Sequence, residues 1–271
     1  MRRKTIGLAL GSGGWRGLAH IGVIKALVKN KIPIDYIAGC SVGSLVGGLY
    51  SAFGNTSKIE DFANNFSSKD LRRLLFDFGS SAGIFKGKRL LNFLEDELKG
   101  IRIEDLKIPF AAGCADLITA QSETLDKGSL SFAIRASISI PLIFEPVKYK
   151  DSYLIDGGAH APIPVQIARK MGADVVIGVN LYNNIFPFKK EYLKSGKITK
   201  LSTLRIAYQM LLYNLALRDL EAADLTVNPE IWEGSFSIFS KFVNSEKLVG
   251  LGEKATEKII PDLKKMLSSE I

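Results

Sequence analysis

The chain has 271 residues, of which 46% are hydrophobic and 24% charged, enough to form one large core or two smaller ones. Its formal net charge of +8 favours anionic partners such as lipid headgroups, but its basic clusters lack the interleaved aromatic side chains that bind single-stranded nucleic acid, so we expect no nucleic acid partner. Because no stretch offers about 18 continuous apolar residues, we expect membrane contact to be peripheral only.

Strand and helix patterns alternate as far as Leu181. The apolar run Thr5 to Leu10 predicts a strand that ends in a glycine cluster, and apolar residues then recur at helical spacing from Leu18 to Val28. Further strands are predicted at Tyr36–Ala38, Phe110–Cys114, Tyr153–Ile155 and Val175–Leu181, and further helices at Gly43–Phe53 and Val165–Met171. This alternation predicts an α/β fold with a mainly parallel central sheet flanked by helices on both faces.

Two regions depart from the alternation. In residues 54–108, helix candidates at Lys58–Phe66 and Lys88–Leu98 are joined by the loop Gly79–Gly87, and a mobile lid and an ordinary surface excursion both remain open. After Leu181, the sequence predicts a long helix at Leu201–Leu220, an edge strand at Leu225–Val227 and a last helix with one apolar face from Leu248 to Met266.

The segment from Gly39 to Gly43 fits the G-x-S-x-G pattern, with an apolar strand before it and a helix directly after it. In that setting the turn holds its serine above the sheet, and the small neighbours allow the backbone to approach closely. The structural alternative is a glycine-rich turn that the serine caps. The flanking strand and helix favour Ser41 as a nucleophile.

A histidine usually accepts the proton of such a serine, but this chain has only two. His20 lies inside the first predicted helix, where a hydrogen-bonded structural role is the simpler interpretation. His160 closely follows the best candidate acid, Asp156, whereas an α/β-hydrolase carries its histidine far downstream on a separate loop. We therefore do not expect a Ser-His-Asp triad.

Asp156, Gly157 and Gly158 follow the predicted strand Tyr153–Ile155. The carboxylate should emerge at the carboxyl edge of the sheet, where open α/β folds hold their sites and where Ser41 should emerge too. An Asp-Gly-Gly sequence alone also fits an ordinary turn.

A glycine-rich loop joins the first strand to the first helix and consists of Gly11, Ser12, Gly13, Gly14, Trp15, Arg16 and Gly17. It is not a dinucleotide fingerprint, because Arg16 stands where the third glycine belongs, and it lacks the Gly-Lys pair of a P-loop. Backbone amides aimed by glycines can stabilise an oxyanion. Arg16 is expected either to hold the loop or to meet a headgroup phosphate.

In this order and spacing, the glycine loop, the Gly39–Gly43 turn and the Asp156 triplet resemble the patatin-like phospholipase family. The resemblance covers roughly Ile6 to Leu181, and RASISIPLIFEP, from Arg135 to Pro146, is typical of bacterial members. It implies a three-layer catalytic domain at residues 5–181, with a helical extension at 182–271 packed on it. The family's loop usually starts with three glycines, and Ser12 in the first place leaves the oxyanion geometry open.

The resemblance implies a serine and aspartate dyad, with Ser41 as the nucleophile, Asp156 as the general base and the amides around Gly13 and Gly14 as the oxyanion hole. The implied activity is hydrolysis of acyl esters in phospholipids, lysophospholipids or neutral lipids through an acyl-enzyme, without a metal or cofactor. An acyltransferase on the same dyad and a non-catalytic regulator that keeps the fold remain alternatives. Lipid class and oligomeric state stay open.

Location follows from smaller signals. Cys40 and Cys114 cannot form a disulfide framework, and the apolar run after Arg2 and Arg3 is too short for a secretory signal, so we predict a cytoplasmic protein. Trp232, Phe236, Phe239 and Phe242, near Lys241, fit either core packing or contact with an anionic membrane.

Overall fold

The computed structural model of the protein describes residues 2–65, 77, 82–187, 198–231 and 245–268. The aromatic residues from Trp232 to Phe242 lie outside these ranges, as do residues 66–76 and 78–81, which include the start of the predicted loop Gly79–Gly87. Within the described residues, no helix combines the length and apolarity needed to cross a bilayer.

A central sheet carries the fold. Its strands are β1 (Ile6–Leu10), β2 (Tyr36–Cys40), β3 (Phe110–Asp116), β4 (Ser122–Leu125), β5 (Val147–Tyr149), β6 (Ser152–Asp156), β7 (Val175–Val179) and β8 (Leu225–Val227). The order is β5-β6-β3-β2-β1-β7-β8, with β4 also paired to β3. The five strands β3, β2, β1, β7 and β8 pair in parallel with their neighbours. The pairs β3-β4, β3-β6 and β5-β6 are antiparallel.

Helices cover both faces of the sheet. They are α1 (Leu18–Lys29), α2 (Val42–Phe53), α3 (Thr56–Asn65), α4 (Lys88–Leu98), α5 (Leu130–Ser137), α6 (Val165–Lys170), α7 (Lys200–Leu220), α8 (Ser245–Glu257) and α9 (Ile260–Ser268). The predicted α/β fold with a mainly parallel sheet is therefore confirmed. The single helix predicted from Leu248 to Met266 is divided into α8 and α9, because Pro261 cannot donate to a helix that continues through it.

Alternation along the central strands explains the two layers. In β1, Leu8 and Leu10 belong to the core beneath α1 and α2, whereas Ala9 belongs to the second core beneath α6 and α7. The whole of β1 is buried, as the continuous apolar sequence predicts for a parallel strand covered on both faces.

Helix α8 packs against α1 at an unusually close crossing. A Cβ atom on Gly252 would overlap with the carbonyl oxygen of Ala19, and one on Gly22 would overlap with that of Val249. Glycine is needed at both positions because the two backbones are nearly in contact. The C-terminal helices are thereby joined to the first helix of the sheet domain.

Candidate active site

Ser41 occupies the sharp turn between β2 and α2. Its backbone angles, φ 55° and ψ −124°, are ones that non-glycine residues rarely adopt, and such strain costs about 1–3 kcal/mol. The Ser41 carbonyl oxygen accepts hydrogen bonds from the Ser44 amide at 2.8 Å and the Ser44 hydroxyl at 2.6 Å, which hold the first turn of α2 against it. The side chain is thus presented in one fixed direction.

The glycines of the G-x-S-x-G pattern allow this turn to form. A Cβ atom on Gly43 would overlap with the Leu10 carbonyl oxygen, because α2 begins directly against the end of β1. A Cβ atom on Gly39, on the strand side of the turn, would likewise overlap with the backbone of Gly43 and Ser44. Both glycines of the pattern are therefore required by close backbone contacts, in addition to the serine between them.

Asp156 reaches Ser41 from the opposite direction. β2 runs parallel to β3 and ends with Cys40 opposite Gly113, whereas β6 runs antiparallel and ends with Asp156 opposite Cys114. Since β4 occupies the other edge of β3, β2 and β6 lie end to end along one edge and their last residues meet. The sequence predicts the meeting at this edge but not the antiparallel direction of β6.

The two side chains are in direct contact. The Ser41 hydroxyl donates to Asp156 Oδ2 at 2.5 Å, and the Gly158 amide donates to Asp156 Oδ1 at 2.8 Å. Burial raises the pKa of Asp156 to about 6, although both hydrogen bonds act to lower it. The carboxylate is thus more basic than a free aspartate and still largely ionised at neutral pH.

Neither histidine takes part in this contact. His20 Nε2 donates to the Gly11 carbonyl oxygen at 2.7 Å, and burial lowers the pKa of His20 to about 4, so its ring is neutral. The predicted structural role of His20 is therefore confirmed. His160 follows the short 3₁₀ turn Gly157–Ala159, and neither ring lines the cleft that contains Ser41.

The glycine loop borders the same cleft. It is anchored by the Ser12 amide, which donates to the Pro162 carbonyl oxygen at 2.8 Å, and by a 2.6 Å hydrogen bond between the Ser12 and Tyr182 hydroxyl groups. Gly13 and Gly14 line the cleft beside Ser41, and within the described chain their amides donate no hydrogen bond. Two backbone donors of the described chain are thus free at the position that the family resemblance assigns to an oxyanion hole.

Arg16 sets the orientation of this loop. The side chain is 4% exposed, its Nε donates to the Gly13 carbonyl oxygen at 3.0 Å, and its guanidinium lies 5.2 Å from the centre of the Tyr182 ring. In a trans peptide the C=O of Gly13 and the N–H of Gly14 point in opposite directions. The bond to Arg16 therefore turns the Gly14 amide away from Arg16. Two roles were expected for this arginine, and the structure shows that it holds the loop.

The remaining predicted residues make backbone and packing contacts around the cleft. Gly11 donates to Val179 at 3.3 Å, Gly17 packs against Val42, and Gly157 lies against the Gly113 carbonyl oxygen. The cleft is lined by Ser12, Gly13, Gly14, Trp15, Arg16, Ser41, Ile140, Asp156, Gly158, Tyr182, Tyr208 and Leu212. Tyr182, Tyr208 and Leu212, which lie beyond Leu181, are wall residues that the sequence analysis did not identify.

Sequence reasoning also missed the end of α5. The Ser137 hydroxyl accepts a hydrogen bond from the Ser41 amide at 2.9 Å and donates to the Gly113 carbonyl oxygen at 2.7 Å, and the Ser139 carbonyl oxygen accepts from the Asp156 amide at 2.9 Å. Arg135, which is buried, donates to the Ser139 hydroxyl at 2.6 Å. The alternating polar residues of Arg135-Ala-Ser-Ile-Ser were the available signal.

Comparisons with known proteins identify the family of the chain. The patatin-like phospholipase family model matches residues 8–169. An uncharacterized NTE family protein of Mycobacterium tuberculosis (strain ATCC 25618 / H37Rv) is 39% identical over 176 residues, which is 65% of this chain and 49% of that protein. Lysophospholipase NTE1 of Candida albicans is 32% identical over 194 residues, covering 67% of this chain and 13% of that protein.

The chain thus matches about half, or much less, of the length of these curated relatives. Among solved structures, VipD from Legionella pneumophila has the same fold, with a TM-score of 0.61 at 12% identity over 97% of this chain and 67% of that one. Because the family match covers more than half of the sequence, the chain belongs to the patatin-like phospholipase family.

Proposed function

We propose that the protein is a serine acyl hydrolase that cleaves fatty-acyl esters of lipids with a Ser41 and Asp156 dyad. The observation that carries the proposal is the 2.5 Å hydrogen bond from a hydroxyl on a strained turn to a buried carboxylate. Family membership and the relative named a lysophospholipase support a lipid ester as the substrate.

In the first half of the reaction, the Ser41 oxygen attacks the ester carbonyl carbon while its proton moves to Asp156 Oδ2. The tetrahedral intermediate collapses, the bond to the alcohol breaks, and Asp156 returns the proton to the departing alcohol oxygen. The acyl group stays on Ser41. The Gly158 amide holds the other carboxylate oxygen, so that Oδ2 keeps facing the serine.

Negative charge develops on the carbonyl oxygen during this attack. The Gly13 and Gly14 amides are the donors proposed to receive it, and one such donor is worth roughly 10²–10³ in kcat. The Arg16 bond to the Gly13 carbonyl oxygen keeps the Gly14 amide directed in advance of the reaction.

In the second half, water replaces the alcohol. Asp156 accepts a proton from this water, the resulting hydroxide equivalent attacks the acyl carbon, and Ser41 leaves with the proton that Asp156 returns to it. The products are the free fatty acid and the original dyad. An alcohol that took the place of water would give acyl transfer by the same steps.

The test is a lipid screen on purified wild type, Ser41→Ala and Asp156→Asn, together with labelling by a fluorophosphonate probe. We expect the probe to label wild type only through Ser41, and both variants to lose about three or more orders of magnitude in ester hydrolysis, as removal of a dyad member leaves only binding and oxyanion stabilisation. Ser51→Ala is the matched control, because Ser51 is buried and its hydroxyl has no hydrogen-bond partner within the described ranges.

An unlabelled wild type, or equal activity in Ser41→Ala, would rule out the proposed nucleophile. Product analysis with an added alcohol separates hydrolysis from acyl transfer, since transfer would yield a new ester instead of free acid.

Domain organisation and location belong to the same proposal. We propose a catalytic domain at residues 5–181 and an extension at 182–271 that completes the site, since Tyr208 and Leu212 line the cleft and β8 pairs with β7. The free, buried Cys40 and Cys114 support a cytoplasmic setting.

A further inference from the structure

Helix α7 is apolar on its outer face as well as on its inner face. Its inner face buries Leu212 and Ala216, while Leu201, Leu204 and Leu211 are 76%, 61% and 62% exposed. Large apolar side chains that are exposed on the solvent side of a helix indicate a surface that a partner or a lipid phase covers. Leu201 is exposed at the start of the helix, and Leu204 and Leu211 are exposed along its solvent side. These three leucines, called here the α7 outer face, are a surface without a partner among the described residues.

The α7 outer face lies beside the mouth of the catalytic cleft. α7 connects β7 to the parallel strand β8, so its N-terminal half lies at the carboxyl edge of the sheet, where Ser41 is located. Tyr208 and Leu212, on the inner side of the same helix, line the cleft. One helix thus forms a wall of the cleft and exposes apolar side chains next to it.

A second segment contributes to the same rim. Ile140 lines the cleft, and Leu142, only two residues further along, is 74% exposed. Exposed apolar side chains beside two walls of one cleft are the kind of surface that marks a site of interaction with a protein or a membrane.

The charges favour a lipid surface over a second copy of the chain. The exposed charged residues of α7 are Lys200 and Arg218, and no acidic residue lies between them. Arg205, also between them, is partly buried. The next residue after Arg218, Asp219, turns inward to accept the Ile163 amide at 3.0 Å. Two copies of this face would bring like charges together, whereas anionic lipid headgroups complement them.

We propose that the α7 outer face, together with Leu142, docks on an anionic lipid surface and places the cleft mouth directly on it. The docking deepens the proposed function, since it assigns the substrate to an aggregated lipid phase instead of free solution. It is nevertheless measurable without any turnover.

The test is sedimentation of the full chain with phosphatidylcholine vesicles, with and without phosphatidylglycerol. All proteins carry Ser41→Ala, so that hydrolysis does not change the vesicles. We expect binding that increases with phosphatidylglycerol, weakens with salt, and falls at least about 10-fold in Leu204→Glu/Leu211→Glu, because two leucines leave the apolar layer and two negative charges enter it.

Val28→Glu is the matched control. Val28 is also an exposed apolar helix residue, 50% exposed, but it lies near the end of α1, at the opposite edge of the sheet from the cleft. Its binding should equal that of the parent, and circular dichroism melting curves show that both variants are folded.

Equal binding of the double variant and the parent would overturn the proposal, as would a parent that binds neither vesicle. A parent dimer that the double variant converts to monomer, with vesicle binding unchanged, would assign the face to a second copy instead. Hydrolysis without docking leaves the proposed function standing, and docking without hydrolysis leaves the docking surface standing, so the two failures are distinguishable.

Discussion

Single residues at this site are held in states that they would not adopt by themselves. Asp156 is a carboxylate 5% exposed, and Ser41 is a non-glycine residue at φ 55°. Both conditions oppose folding, and both suit the proposed chemistry, because burial strengthens the base and the strained turn directs the hydroxyl towards it. The remainder of the structure must supply the stabilisation.

The pH dependence of hydrolysis follows from Asp156. Its pKa of about 6 means that kcat/KM should be level above about pH 7 and fall towards tenfold per pH unit below pH 6, since a protonated Asp156 cannot accept the Ser41 proton. A pH profile of kcat/KM with a soluble short-chain ester measures this decrease, the acid limb of the profile.

The control for this profile is Asp219→Asn, because burial raises the pKa of Asp219 to about 6 as well. The acid limb should persist in that variant. A limb that disappears with Asp219 would assign the titration to the wrong carboxylate.

Backbone strain at Ser41 can be isolated by comparing two variants without the hydroxyl. Ser41→Gly and Ser41→Ala both lose the bond to Asp156, but only alanine keeps a Cβ at φ 55°. We expect the glycine variant to be more stable by about 1 kcal/mol, even though glycine gains more freedom on unfolding. Urea unfolding of both proteins measures the difference, and a more stable alanine variant would argue against strain.

Among the elements, α5 has the widest influence on the site. Ser137, its last residue, and Ser139, two residues further on, contact the backbone of Ser41, Gly113 and Asp156, which belong to three different chain segments. Arg135 extends this connection to the Lys86 and Gly87 carbonyl oxygens, so that the insertion before α4 is tied to the same helix.

Removal of the Ser137 hydroxyl should loosen the turn without touching the substrate. We expect Ser137→Ala to lower kcat by about 10- to 100-fold with little change in KM, because the buried Ser41 amide loses its acceptor and the nucleophile loses its alignment. Ser51→Ala, at a buried serine whose hydroxyl has no hydrogen-bond partner in the described part of the chain, should behave like wild type. Equal kinetics of the two variants would remove Ser137 from any positioning role.

Elements with local signals could be predicted, and elements that depend on distant pairing could not. β1, α1, β2 and α2 have continuous apolar or helical patterns, and α4 was predicted with its observed bounds at Lys88–Leu98. The short strands β4 and β5 were missed because they contain too few alternating residues, and the direction of β6 depends on pairing with β3, which no local pattern records. The Ser41 turn was likewise local, whereas the Ser137 contact joins residues 96 positions apart.

At the scale of the whole molecule, the two ends of the chain support one another. α8 crosses α1 at Gly22 and Gly252, and α1 begins directly after the glycine loop that carries Arg16. The C-terminal helices and the proposed oxyanion donors are therefore connected through a single helix, α1.

Two glycines of α8 offer a matched comparison. Gly252→Ala should destabilise the protein by about 1–3 kcal/mol or more, because its methyl group meets the Ala19 carbonyl oxygen. Gly250→Ala has open space around the new atom and should be neutral, or stabilising by up to about 1 kcal/mol. Thermal unfolding measures both, and similar melting temperatures would mean that the helices move apart at little cost.

The head-to-head meeting of β2 and β6 also bears on how this protein is made. Ser41 and Asp156 are 115 residues apart, and they meet because β2 and β6 both pair with β3. A chain that has emerged from the ribosome only as far as α2 carries the hydroxyl without the carboxylate. The proposed lipid-cleaving centre therefore cannot operate in a half-made chain, and its activity begins only after the middle of the sheet has been completed.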